Sequence, residues 1–292
     1  MDYTLKNIFN TQAELGEGPF WNSRAQQLGW VNILEGELHF LNPQSGDDQF
    51  VRFNEYIGFA VPRVNGDILV GLQRGIASYN LTGAQLSWIA QPEKDKAGNR
   101  FNDGKCSPDG RLFAGTMAVD EHAEAGALYR LDKNLSMQKV IAPVSISNGL
   151  AWSPEMNTLY YIDTPTRNVV AFEYNFDNGS IKNPKIVVTI PAEAGWPDGM
   201  TIDAEGMLWI ALWNGAKIIR YNPGNGKKIS EISLPALNVT SCAFGGPDLT
   251  NLYVTSAWKG MNPEQRKQFP GSGDIFEIET KIQGIPLHIF QG

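Results

Sequence analysis

Histidine and cysteine are scarce in this chain, with three and two respectively in 292 residues. His39, His122 and His288 stand far apart and show no HxxH or HExxH spacing, which argues against a histidine-rich zinc centre. Cys106 and Cys242 form no CxxC pair, and nothing demands a bridge between them. Both are read as buried, reduced thiols of a cytoplasmic protein. There is no GxSxG elbow, no Ser-His pairing, no Walker A loop and no GxGxxG opening a helix, so serine hydrolysis and nucleotide chemistry are poorly supported. Positive charge is also short, at 24 Lys and Arg against 31 Asp and Glu, for a net charge of -7. No basic face is available for nucleic acid, and no basic amphipathic helix for a membrane surface. No apolar run approaches bilayer length. The first ten residues lack a basic segment followed by an apolar core, so no signal peptide is expected there.

What is present is a 42% hydrophobic chain of short β-rich runs. They fall at 28–33, 37–41, 68–72, 111–115, 127–131, 158–163, 169–174, 207–212, 217–221, 251–255 and 274–278. Turn signals such as Asn65-Gly66, Pro108-Asp109-Gly110 and Glu205-Gly206 separate them. This spacing indicates a sandwich, a barrel or a propeller. Repetition decides among the three. Asn102-Asp103-Gly104 precedes Leu112-Phe113-Ala114-Gly115, Asn148-Gly149 precedes Leu159-Tyr160-Tyr161-Ile162, and Asp198-Gly199 precedes Leu208-Trp209-Ile210-Ala211. Ser241-Cys242-Ala243 precedes Leu252-Tyr253-Val254, and weaker copies start at Glu17-Gly18 and Ile57-Gly58. The marker glycines Gly18, Gly58, Gly104, Gly149 and Gly199 are spaced by 40, 46, 45 and 50 residues. A repeat of that length holding four short strands is a propeller blade. The expectation is an all-β, six-bladed propeller with four antiparallel strands per blade, one domain over residues 1–292. The polar stretches 91–99, 120–126 and 260–273 read as exposed loops, of the kind that border a propeller's site.

The slot before each marker glycine carries the chemistry. Asp198 sits in Gly195-Trp196-Pro197-Asp198-Gly199-Met200, where Pro restricts one side, Gly frees the other, and a strand is expected to follow. Alone, this is a Pro-Asp-Gly turn. The equivalent slots, however, hold Glu17, Ile57, Asn102 and Asn148, with Ser241 or Cys242 in the sixth copy. Pseudo-symmetry brings such slots together at the axis, and four oxygen donors there suit a hard divalent cation. The plainer alternative is that Asn and Asp before Gly are turn formers, although Glu17 is not a usual turn residue. Arg100, two residues before Asn102, is either a surface ion-pair partner or a fork for substrate oxygens. Asp120 accepts from substrate hydroxyls or solvates a loop. His122, beside Glu121 and Glu124, reads as a solvated loop residue. Trp196, Trp213 and Trp258 line a pocket or pack blades.

Several of these runs resemble one family over essentially the full chain. Leu15-Gly16-Glu17-Gly18-Pro19, Arg100-Phe101-Asn102-Asp103-Gly104-Lys105, Gly115-Thr116-Met117, Ser147-Asn148-Gly149 and Pro197-Asp198-Gly199-Met200 are similar to motifs of the gluconolactonase / regucalcin / luciferin-regenerating family. The resemblance implies a six-bladed propeller with one divalent ion near its axis and sugar-lactone hydrolysis as the activity. It implies Glu17, Asn148 and Asp198 as metal ligands and Arg100 and Asn102 as substrate contacts, whereas the slot argument makes Asn102 a fourth metal donor. An acidic residue shortly after Gly-Thr-Met is a further substrate contact; gapless counting gives Asp120, with Glu121 adjacent. The ion is Ca²⁺, Mg²⁺ or Mn²⁺ by its oxygen ligands, and the family also tolerates Zn²⁺ and Fe²⁺.

On this reading the ion polarises a lactone carbonyl or activates water, and Asp198 is the general base. The rivals are an aryl-ester or phosphotriester hydrolase on the same fold, and a calcium-binding propeller without turnover.

Overall fold

The computed structural model describes residues 3–292. Met1 and Asp2, included in the expected domain, lie outside the described residues. Six four-stranded antiparallel sheets form the blades of a propeller. The innermost strands are Gly16–Asn22, Ile57–Pro62, Asn99–Cys106, Ser147–Trp152, Trp196–Ile202 and Asn238–Gly245, opening blades one to six in chain order. Each packs against the innermost strand of the next blade, and the sixth packs against the first. The ring closes through its end: Thr4–Phe9 pairs antiparallel with Ile275–Glu279 and supplies the outermost strand of the sixth blade.

The core lies between blades. Six apolar clusters fill the six interfaces; one joins Trp209 and Ala211 of blade five to Val239, Phe244 and Leu252 of blade six. The innermost strands are almost wholly buried, whereas an outermost strand such as Ile181–Thr189 is mostly exposed. Cys106 and Cys242 are buried, unbridged thiols, as expected. Among the described residues no helix is long and apolar enough to cross a membrane. Within the loop 260–273 lies one short helix, Pro263–Gln268, started by a reciprocal Asn262–Gln265 cap.

The slot residues sit inside strands rather than ahead of them. Asp198 is the third residue of Trp196–Ile202, not the tip of a turn before a strand. The sharp turn is three residues earlier, at Gly195, with φ +110°. In all six blades the innermost strand slips register against its neighbour at or beside this slot, between Glu17 and Phe20, Pro197 and Met200, and so on round the ring. A β-bulge bends a strand and re-aims a side chain, so each slot is turned out of the regular pleat.

Three marker glycines, Gly58, Gly149 and Gly199, have a different reason from the one expected, whereas Gly18 does take a left-handed turn at φ +54°. A Cβ on Gly58 would lie 2.4 Å from the Phe101 carbonyl oxygen, and one on Gly149 would lie 2.8 Å from the Asp198 carbonyl oxygen. A Cβ on Gly199 would meet the Ser241 hydroxyl at 2.1 Å. Glycine here lets adjacent innermost strands approach around the axis. Gly149→Ala should therefore destabilise the fold by about 1–3 kcal/mol in chemical denaturation. Unchanged stability would mean that the Asp198 strand gives way freely.

Candidate functional site

Four of the six slots converge on one cavity at an axial end of the propeller. Glu17, Asn102, Asn148 and Asp198 line it, together with Arg100, and its volume is about 290 Å³. Ile57 and the Ser241/Cys242 slot do not. All five lining side chains named above are buried, while the cavity opens past half-exposed groups.

A hydrogen-bond chain across three blades sets their orientation. Arg100 Nη1 donates to Asn102 Oδ1 at 2.7 Å and to the Phe101 carbonyl at 3.0 Å. Both side chains line the cavity, with Asn102 at the point where the strand slips register between Phe101 and Gly104. Asn102 Nδ2 donates to the Ser147 carbonyl at 2.8 Å and to Asn148 Oδ1 at 3.3 Å. Asn148 Nδ2 donates to Thr164 Oγ1 at 2.9 Å, and Thr164 Oγ1 donates to the Pro197 carbonyl at 2.8 Å. So the Asn148 amide nitrogen faces away and its oxygen faces the site. The Asn102 oxygen, in contrast, is taken by Arg100. Thr164, which joins blades four and five, carried no signal in the sequence.

The two carboxyls are electrostatically strained against each other. Burial, and then the negative charge of Asp103, push Glu17 up to about 8. Burial and the neighbouring Glu17 hold Asp198 well above the usual carboxylate range. The Gly18 N–H donates to Glu17 Oε2 at 2.8 Å and partly offsets the rise. Like charges this close cannot both ionise in a buried site unless a cation joins them. Burial also draws Arg100 down to about 10, against the pull of Glu17, Glu121 and Asp198.

These residues fit a divalent cation: two carboxylates with an unmet need for positive charge, and the Asn148 amide oxygen beside them. Among the described residues no group of three or more His, Cys, Asp or Glu is placed to hold a metal. The third donor here, an amide, lies outside those residue types. Below the floor, half-buried Asp103 continues along the axis, and Lys105 Nζ donates to the Met200 carbonyl at 2.7 Å. Lys105 then lines a smaller cavity at the opposite end, closed by residues 285–288.

Asp120 is not brought into the cavity. Its side chain is 77% exposed and hydrogen-bonds His122, itself a solvated loop residue. Glu121 lines the cavity instead. Its φ of +63° turns the chain so that the next carboxylate, not Asp120, faces inward. Trp196 and Trp213 line the cavity, whereas Trp258 stacks under Arg266 and donates to the Gln12 carbonyl.

A family model described as the SMP-30/gluconolactonase/LRE-like region matches residues 15–258. The chain belongs to this family. Members similar to it carry different names. A Bacillus subtilis protein provisionally named a sugar lactone lactonase is 38% identical over 97% of both chains. A calcium-binding protein, regucalcin, from Agrobacterium tumefaciens superposes with a TM-score of 0.95 at 28% identity over 99% of this chain and 98% of its own. A luciferin-regenerating enzyme superposes with a TM-score of 0.94 at 30% identity over all of both chains. The SMP-30/gluconolactonase fold therefore accompanies several names, and the site has to decide among them.

Proposed function

We propose that this protein, as one propeller domain, hydrolyses sugar lactones to aldonic acids with one divalent cation held by Glu17, Asn148 and Asp198. The observation that carries the reading is the buried Glu17–Asp198 pair at the floor of an open cavity, with Arg100 beside it. The lactonase name of a relative at 38% identity agrees with it, and a calcium-binding relative agrees with the cation.

When bound, the cation would polarise the lactone carbonyl and offset the charge of the tetrahedral oxyanion. Asp198, ionised in that state, accepts the proton of the attacking water and later returns it to the departing ring oxygen. Glu17 stays ionised as a ligand. Asn102 acts as a bracket: it holds Arg100 at 2.7 Å and steadies Asn148 at 3.3 Å. Arg100 directs the rest of its guanidinium fork to substrate oxygens. Glu121 takes the substrate contact first assigned to Asp120.

The test is hydrolysis of glucono-, galactono-, xylono- and arabinono-lactones by metal-stripped protein, with each divalent ion added back in turn. Activity that vanishes on chelation and returns with one ion is the expected result. Ion binding without turnover of any lactone would leave the calcium-binding reading. Leu15, Ile33, Met117 and Ile146 give the cavity apolar walls that an aryl ester also fits. Phenyl acetate in the same panel separates that second reading. For Arg100→Ala, steady-state kinetics should show KM raised about tenfold and kcat lowered less. The reverse split would make Arg100 a group that acts in the transition state.

A further inference from the structure

Two charged side chains line the site cavity at its mouth: Glu121, the neighbour of Asp120 in the sequence reading, and Lys259, which the sequence did not signal. Glu121 Oε1 meets Lys259 Nζ at 2.6 Å, with side chains 49% and 30% exposed. Both line the cavity whose floor holds Glu17 and Asp198. They come from opposite sides of the ring. Glu121 follows the second strand of blade three, Leu112–Ala118, and Lys259 follows the second strand of blade six, Asn251–Ala257. Two blades lie between them on either side of a closed ring of six, so the ion pair crosses the mouth.

We propose that Lys259 is a specificity-determining residue: with Glu121 it forms a charged strap across the mouth that binds the far hydroxyls of a polyhydroxylated lactone. This rests on the lactonase reading of the floor.

The Lys259 backbone is fixed at both polar atoms. Its N–H donates to the Glu14 carbonyl at 3.0 Å, and its carbonyl accepts from Asn238 Nδ2 at 3.1 Å. Glu121 reaches it from a left-handed backbone position that a non-glycine residue adopts at some energetic cost. Fold stability is a weak reason for that arrangement, because an exposed ion pair contributes only about 0–1 kcal/mol. The same weakness lets both ends exchange partners readily. Between floor and mouth the walls are apolar: Leu15, Ile33, Met117 and Ile146. Polar recognition is thus available at two heights. The carbonyl end of a lactone meets the floor, and its exocyclic end meets one ammonium donor and one carboxylate acceptor at the mouth. A site built to bond hydroxyls discriminates strongly against an analogue that lacks them.

The test compares D-glucono-δ-lactone with δ-valerolactone, the same six-membered ring without hydroxyls. The wild-type protein should favour the hydroxylated lactone. In Lys259→Met the ratio of the two kcat/KM values should fall at least about tenfold, mainly through the KM of gluconolactone. Lys259→Arg should restore most of the ratio. An unchanged ratio in Lys259→Met, even with both rates lowered together, would overturn the proposal. If the wild type hydrolyses neither lactone, the lactonase reading fails, and calorimetric titration with sorbitol decides the strap on its own. There, weaker sorbitol binding by Lys259→Met, by about tenfold, supports it, and equal binding overturns it.

Discussion

Replacing Asp198 by asparagine should lower lactone hydrolysis by at least about 10³-fold while making the metal-free protein more stable. The two effects share one cause. Asp198 is buried beside Glu17, and its carboxyl is held well above its ordinary range. In the metal-free protein its ionised form is therefore disfavoured, and the protonated acid is close in shape and charge to an amide. Asn keeps that shape and needs no proton taken up on folding. Thermal unfolding of the chelated variant should then shift upward, on the order of 2 °C for each 1 kcal/mol gained. Catalysis moves the other way, because an amide cannot take a proton from water and is a poorer cation ligand. Residual activity within about tenfold of wild type would remove Asp198 from the base role. A lower midpoint in the chelated variant would show that the ionised carboxylate is favoured by the fold.

The sequence shows the propeller clearly where burial is regular. Runs such as 112–115 and 159–162 lie on second strands whose pleat is undisturbed, and these read as strands. The innermost strands are harder to see, since each is bulged where the function lies. Trp196–Ile202 contains Pro197 and Gly199 and so reads as a turn. Its glycine marks close approach to Ser241, a fact of the neighbouring blade that no local pattern carries. Closure of the ring by Thr4–Phe9 is equally hidden, because its partner Ile275–Glu279 lies at the other end of the chain. At the site, Glu17, Arg100, Asn102, Asn148 and Asp198 were legible because the repeat puts a polar residue in or near the same slot. Counting in the sequence favoured Asp120 with Glu121 beside it, and the choice between two adjacent carboxylates rests on loop geometry, here a positive φ at Glu121. Lys259 belongs to no repeat position and becomes a site residue only through its partner across the mouth.

Metal removal should give the protein a stability that falls as pH rises, and adding the cation should abolish that slope. The sign follows from proton counts. Unfolded Glu17 titrates near 4.5 and folded Glu17 at about 8. Asp198 is raised in the same direction. Between those values the folded state binds more protons than the unfolded state, so unfolding free energy decreases with pH. Stability from these groups is complete below the unfolded pKa and is lost as pH rises through the folded one, a window of roughly pH 4.5 to 8. Asp103 deepens the effect by its negative charge, and Arg100 opposes it. The two acids titrate as a coupled pair, so the curve reports the pair rather than either residue. A cation favours the ionised form of both acids, which makes binding release protons throughout this window. It should add about 2.7 kcal/mol at a hundredfold excess over Kd. Thermal midpoints across pH, with chelator and with cation, measure the slope. Calorimetry in two buffers of different ionisation enthalpy measures the proton release. Parallel pH curves with and without cation, and no buffer dependence of the heat, would place cation binding away from Glu17 and Asp198.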